Sequence, residues 1–145
     1  MAIFSSFNIS ASGMTAQRLR SDTISQNLAN VNTTRTSDGE PYRRKTVVFQ
    51  EREMTSFDSV LMTTSGLAGN GVKVTKIVED TSTPMNMVYD PSHPDADENG
   101  YVTYPNVNTV TEMTNLIDAS RAYEANITAF DAAKSMALKG LEIGQ

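Results

Sequence analysis

The chain has no cysteine and only one histidine in its 145 residues. Without cysteine there is no disulfide, no thiolate nucleophile and no cysteine-based metal site. Any histidine-based triad or zinc site would have to run through His93, which stands between Ser92 and Pro94. Spacing assigns it no serine or carboxylate partner, so no enzyme is expected. Gly66, Gly69 and Gly71 are not followed by a helix, a Lys and a Ser/Thr in phosphate-cradling order. No cofactor and no small-molecule substrate are therefore expected. Positive charge is also short. There are 12 Lys+Arg against 17 Asp+Glu, a net charge of −5, which argues against a general nucleic-acid binder with a basic face. The one basic run, Arg43-Arg44-Lys45, reads as a solvated cluster at a strand start, with contact to an acidic neighbour as the sharper reading. No stretch approaches the roughly 20 apolar residues that cross a bilayer, and no direct membrane insertion is expected. The N-terminus shows no positive leader ahead of an apolar core, so any export is expected to proceed without a cleaved signal peptide.

What fills the gap is Ser, Thr and Asn, 42 residues together. Such side chains suit turns, caps and polar interfaces. The core they leave room for is modest, and marginal stability is expected for the isolated chain.

The two ends carry apolar stripes at coiled-coil spacing. The first runs Ile3, Phe7, Ser10, Met14, Gln17, Ser21, Ile24, Leu28, Val31, alternating steps of four and three. A mean period of 3.5 is what keeps two helices in contact along their length. The second runs Met113, Leu116, Ser120, Tyr123, Ile127, Phe130, Lys134, Ala137, Leu141, with alanines crowded beside it. Alanine favours helix and lets a second helix approach. An apolar stripe is commonly the core face of a small bundle. Length argues for more: from Thr109 to Leu141 there is no proline, and a helix that long spans about 50 Å. The middle is too small to cover such a seam. The expected fold is α+β, with long N- and C-terminal α-helices packing as an antiparallel coiled-coil-like pair and a small β-rich middle segment. The expected division is 1–35, 36–106 and 107–145.

The first helix is expected from about Ser5 to Asn32, with Gly13 a weak point costing about 1 kcal/mol relative to Ala. Asp38-Gly39 marks a turn. Strands are expected at Lys45–Gln50, Val72–Val78, with a bulge or kink after Val74, Met85–Tyr89 and Tyr101–Tyr104. Met54–Leu67 carries conflicting signals. Asp90–Gly100 reads as an exposed loop. Thr109-Val110-Thr111-Glu112 has the form of a capping box opening the second helix. Asp95, Asp97, Asn99 and Gly100 match the first half of a calcium loop, but position twelve is Asn106 and two prolines forbid the entering helix.

Residues Ser12-Gly13-Met14-Thr15-Ala16-Gln17-Arg18 and Ile24-Ser25-Gln26-Asn27-Leu28-Ala29-Asn30-Val31-Asn32-Thr33-Thr34 resemble the N-terminal motif of bacterial flagellar axial proteins. Gly100-Tyr101-Val102, Pro105-Asn106-Val107-Asn108, Glu112-Met113 and Ala119-Ser120-Arg121-Ala122-Tyr123-Glu124-Ala125-Asn126 extend the likeness. Over nearly its whole length the chain resembles the flagellar basal-body rod protein family, nearest its short proximal-rod members. The stretches Thr33–Lys45 and Tyr89–Asp97 point to those members. The resemblance implies a structural subunit of the periplasm-spanning rod, exported by the flagellar type III apparatus. It implies helical polymerisation with copies of itself and other rod proteins.

Within the two seams Met14, Ile24, Leu28, Met113, Leu116, Tyr123, Ile127 and Phe130 are the expected packing residues of the assembly. Asn27, Asn30, Arg121 and Asn126 are read as polar contacts between subunits, with capping and surface hydration as the plainer alternative. The ends are expected to be partly disordered in free monomer and to order on assembly. The competing reading is a coiled-coil adaptor that forms a small closed oligomer.

Overall fold

The computed structural model describes residues 2–53 and 69–143. The whole Met54–Leu67 stretch, with its conflicting signals, therefore lies outside the described residues. The order of elements is α1 (Ala2–Ala29), β1 (Lys45–Glu51), β2 (Val72–Glu79), β3 (Asn86–Tyr89), β4 (Tyr101–Tyr104) and α2 (Thr109–Ile143). β1 pairs with β2, and β3 pairs with β4. The second pair is antiparallel, with Asn86 opposite Tyr104 and Tyr89 opposite Tyr101. The architecture is the expected α+β one: two long terminal helices with a small strand segment between. β2 runs unbroken through Val74–Ile77, where alternation lapses because its second half is exposed on both faces.

Two compact units share the chain. The first gathers Met1–Leu19, Val48–Lys76 and Ala119–Gln145; the second gathers Arg20–Val47 and Ile77–Asp118.

In the first unit the helices meet through small residues. Ser10, Ser12 and Ala16 on α1, and Ala119 and Ala133 on α2, are buried. Phe7 stacks against Phe130 with ring centroids 4.9 Å apart, and Gly13 lies on Asn126. Stepping forward on α1 steps backward on α2, so the two stretches run antiparallel. At Gly13 the two helices come close. A Cβ there would stand 2.5 Å from Asn126 Oδ1, so the helix-propensity cost of glycine is offset by contact. At the start of β2 the Val72 amide donates to Ser12 Oγ (3.1 Å). The preceding Gly71 has φ of 87° and sits against Ser12 and Ile9 with no room for a side chain.

In the second unit Ile24, Tyr42, Val102 and Val107 form the apolar core. Polar groups are buried among them: Thr23, Asn27, Asn106 and Glu112.

The α1 stripe lies where the spacing places it. Phe7, Ser10, Met14, Gln17, Ser21, Ile24 and Leu28 are all at least partly shielded; the side chain of Ile3 lies outside the described set. A second line, Ser12, Ala16, Leu19, Thr23 and Asn27, is shielded as well, so α1 buries a broad face. The α2 stripe is different. Leu116, Tyr123, Phe130 and Ala137 turn inward, but the shielded residues between them are Glu112, Ala119, Asn126 and Ala133. The alternate members of the expected line, Met113, Ser120, Ile127 and Lys134, sit one position further on and are exposed. The inner seam keeps the four–three spacing and fills more than half its positions with small or hydrogen-bonding side chains.

The opening of α2 is also corrected. Asn108 is the cap: its Oδ1 accepts from the Thr111 amide (3.1 Å). The glutamate of the supposed capping box, Glu112, instead turns into the second unit, for the reason its partners supply below.

Candidate assembly interface

Glu112 and Asn27 are the centre of the second unit, and both are 0% exposed. Asn27 Nδ2 donates to Glu112 Oε2 (2.8 Å) and to the Lys45 carbonyl (2.9 Å). Its Oδ1 accepts from Tyr42 Oη (2.9 Å) and from the Lys45 amide (2.9 Å). Glu112 Oε1 accepts from Arg44 Nη2 (2.8 Å), Arg44 Nε (2.9 Å) and Asn115 Nδ2 (3.2 Å). The Arg44 amide donates to Asn106 Oδ1 (2.8 Å), and Asn106 Nδ2 donates to the carbonyls of Asp80 (2.8 Å) and Thr83 (3.2 Å). Buried polar groups are tolerated when paired in this way, and a buried charge needs both a counter-charge and hydrogen bonds. Burial pushes the Tyr42 phenol above its ordinary value, and the nearby Glu79 and Glu112 charges add to the effect. Asp80 lies well below the usual carboxylate range, chiefly because the Ser82 and Thr83 hydroxyls and the Thr83 amide donate to it.

The basic run is divided between three partners. Arg44 enters the network, Lys45 stands 3.8 Å from Glu79, and Arg43 stands 4.0 Å from Glu40.

The loop 90–100 uses its polar groups locally. Ser92 donates through amide and hydroxyl to Asp90, which lowers that carboxyl below its ordinary value, the hydroxyl bond first. Asp97 accepts from the Asn99 and Tyr101 amides, and Asp95 accepts from the Thr34 hydroxyl (2.8 Å) with Arg35 3.6 Å away. His93 Nδ1 accepts from the Asp95 amide (3.1 Å), and its ring lies edge-on to Tyr104.

The outward surface is apolar in places where a helix normally carries charge. In the second unit Val110, Met113 and Ile117, spaced three and four apart, are 75%, 55% and 52% exposed. Met87, Val88, Tyr89 and Tyr101 are exposed on β3 and β4. In the first unit Ile127, Met136, Leu138 and Leu141 are exposed on α2. The three–four spacing of Val110, Met113 and Ile117 puts them on one face of α2, the kind of exposed apolar line that is a candidate contact surface.

The expected site residues divide accordingly. Met113, Arg121 and Ile127 face outward, while Met14, Leu28, Leu116, Tyr123 and Phe130 are partly shielded and Ile24 is buried. Asn27 has every hydrogen-bonding position filled inside the chain. Asn30 donates to the Gln26 carbonyl (2.9 Å) and accepts from the Thr33 hydroxyl (3.2 Å). Asn126 donates to the Ala122 carbonyl (2.7 Å). Sequence reasoning passed over Val110 and Ile117, whose three–four spacing with Met113 was readable one step out of register. It also passed over Tyr42 and Glu112 as partners of Asn27, and Arg44 as the partner of Glu112; no local pattern joins residues that distant.

Two family models match. Residues 7–35 match one described as "Flagella basal body rod protein", and residues 98–143 match one described as "Flagellar basal body rod FlgEFG protein C-terminal". Among curated relatives, the flagellar basal-body rod protein FlgC of Bacillus subtilis is 53% identical over the full length of both chains. That of Borreliella burgdorferi is 47% identical over all of this chain and 99% of its own. That of Salmonella typhimurium is 43% identical over the whole of both.

Proposed function

We propose that this chain, which belongs to the flagellar basal-body rod protein family and within it to the FlgC type, is a structural subunit of the bacterial flagellar basal-body rod. It joins a helical polymer with copies of itself and with other rod proteins, and the polymer transmits torque across the periplasm. The flagellar type III apparatus is its route of export. The head, 1–35, and the tail, 107–145, carry the assembly contacts.

The observation that carries this reading is end-to-end identity with relatives named as rod proteins, at 43–53%. The exposed apolar line Val110–Met113–Ile117 supports it physically. A surface that pairs with a different surface on the next molecule, without closing, generates an open helical filament. A coiled-coil adaptor would close into a small particle, and full-length relatives that are rod subunits favour the filament.

The test is Met113→Asp combined with Ile117→Asp. Both positions are exposed in the single chain, so the purified variant keeps its melting temperature, with a stability change within about 0.5 kcal/mol. In cells the same variant loses rod assembly and motility, because each subunit contact would bury an unpaired carboxylate. Normal swimming by cells carrying it would remove this face from the assembly.

A further inference from the structure

We propose that Asn70 is a site of spontaneous covalent change: its side chain cyclises onto the amide nitrogen of Gly71 and reopens as an aspartyl or isoaspartyl residue. Three times in this chain an Asp or Asn stands before a glycine: Asp38-Gly39, Asn70-Gly71 and Asn99-Gly100. Glycine has no Cβ to hinder approach to its own nitrogen, so all three meet the sequence requirement. Their hydrogen bonds separate them. The Gly39 amide donates to the Thr36 carbonyl (3.0 Å), and the Gly100 amide donates to the Asp97 carbonyl (3.0 Å). Around Gly100 the chain is fixed further. The Asn99 and Tyr101 amides donate to Asp97 Oδ1 (2.9 and 2.8 Å), and the Gly100 carbonyl accepts from the Asp90 amide (2.9 Å). At Asn70-Gly71 only the far side is held. The Gly71 carbonyl accepts from the Arg52 amide (3.0 Å), and the Val72 amide donates to Ser12 Oγ. The Gly71 amide and the Asn70 side chain have no hydrogen-bond partner among the described residues. Asn70 is only partly shielded, so water and base reach it.

The chemistry needs no enzyme and no oxidant. The Gly71 nitrogen gives its proton to base and bonds to Asn70 Cγ. The Cγ–Nδ2 bond breaks, and Nδ2 takes up a proton and leaves as ammonia. Water then opens the five-membered imide at one of its two carbonyls. Breaking the new bond to Cγ returns an ordinary main chain with aspartate at 70. Breaking the bond to the backbone carbonyl frees that carboxylate and leaves the main chain running through the side-chain carbon, the isoaspartyl form. A glycine amide that already donates to a carbonyl must give up that bond before its nitrogen can turn onto the side chain, which holds back positions 38 and 99. The product matters where it falls. Either form places a carboxylate ahead of Gly71, and the isoaspartyl form adds a main-chain carbon there. Gly71 has φ of 87° and sits against Ser12 and Ile9 with no room for a side chain. The change therefore strikes the point in the first unit where the start of β2 meets α1.

The inference goes beyond the rod reading and does not need it. Nor does it need α1 to be ordered in the free chain, because release of Ser12 leaves the Gly71 amide as unpartnered as before. The test ages purified full-length protein in warm, mildly alkaline buffer, with a parallel sample in concentrated urea. Peptide mass spectrometry reads conversion at each asparagine. Methyl transfer from S-adenosylmethionine by an isoaspartyl methyltransferase reads the isoaspartyl product. In urea Asn70 and Asn99 convert at similar rates, since both precede glycine. In native buffer Asn70 converts at least about fivefold faster than Asn99, the protection one retained hydrogen bond provides. Asn70→Gln removes most of the methyl acceptance, because its longer side chain must close a larger and slower ring. Asn99→Gln leaves methyl acceptance nearly unchanged. The proposal is overturned if Asn99 converts as fast as Asn70 in native buffer, or if Asn70 stays intact there while it converts in urea. It is equally overturned if the urea sample already shows the native ratio, or if Asn70→Gln accepts as much methyl as the parent.

Discussion

Tyr42 shows how much one side chain in this molecule is asked to do. Its hydroxyl donates to Asn27 Oδ1, and its surroundings disfavour the phenolate. Unfolded, it titrates near 10.0; folded, it titrates higher. Its contribution is therefore complete below that pH and is lost as pH rises through the folded value. Tyr42→Phe should destabilise the chain by about 1 kcal/mol at neutral pH and flatten the alkaline fall of melting temperature that the parent shows. Asp80 works in the opposite direction. Its carboxylate is held ionised by the Ser82 and Thr83 hydroxyls and the Thr83 amide, so its contribution is present above the ordinary value of 3.8 and is lost as pH falls below it. The parent should lose melting temperature on going from pH 5 towards pH 3, as the unfolded chain takes up protons. Asp80→Asn should show a shallower loss over the same range, and a loss as steep as the parent's would mean other carboxylates carry it.

At the scale of elements, the close approach of the helices in the first unit rests on Gly13 and Asn126. Gly13→Ala gains helix propensity of about 1 kcal/mol, but the new methyl meets the Asn126 amide, and overpacking costs about 1–3 kcal/mol. Thermal denaturation should show a net loss for Gly13→Ala and recovery to the parental value or above when Asn126→Ala is added. This is also where the limit of sequence reading is clearest. Both helices, their antiparallel pairing and all four strands were legible from periodicity and turn chemistry, and β4 was placed at the residues it occupies. The α1 line was right because its inner positions include Phe7, Met14, Ile24 and Leu28, which hydropathy recognises. The α2 line slipped at every second member. Its inner positions include Glu112 and Asn126, which hydropathy counts as surface, and Ala119 and Ala133, which it counts weakly. A stripe drawn through the largest apolar residues therefore slid one position, onto Met113 and Ile127. The cap slipped for a related reason. A glutamate three residues after a threonine has the form of a capping box whether it reaches back to the helix start or inward to an arginine, and only the position of Arg44 decides.

At the scale of the molecule, the slip is itself informative. The residues that the apolar rule selected on α2, together with Val110 and Ile117, are those a single chain leaves uncovered. Along α2 the shielded line carries small and hydrogen-bonding residues as well as apolar ones, and an adjacent line of large apolar residues is exposed. On the proposed function, adjacent lines of one helix would divide the roles, the inner one packing within the chain and the outer one meeting a neighbour. On this account Leu138→Asp and Leu141→Asp, exposed on α2 in the first unit, change monomer stability by less than about 0.5 kcal/mol yet reduce incorporation into the rod. Comparing melting temperature with the amount of subunit recovered in purified basal bodies checks both halves of that statement.

The most direct measurement is a density map of the intact basal body with this subunit traced through the rod. The prediction is that Val110, Met113 and Ile117 lie under side chains of an adjoining subunit, while Asn27 and Glu112 contact only their own chain. A map in which that apolar line faces open solvent, or in which Asn27 or Glu112 reaches across to a neighbouring molecule, would contradict the account.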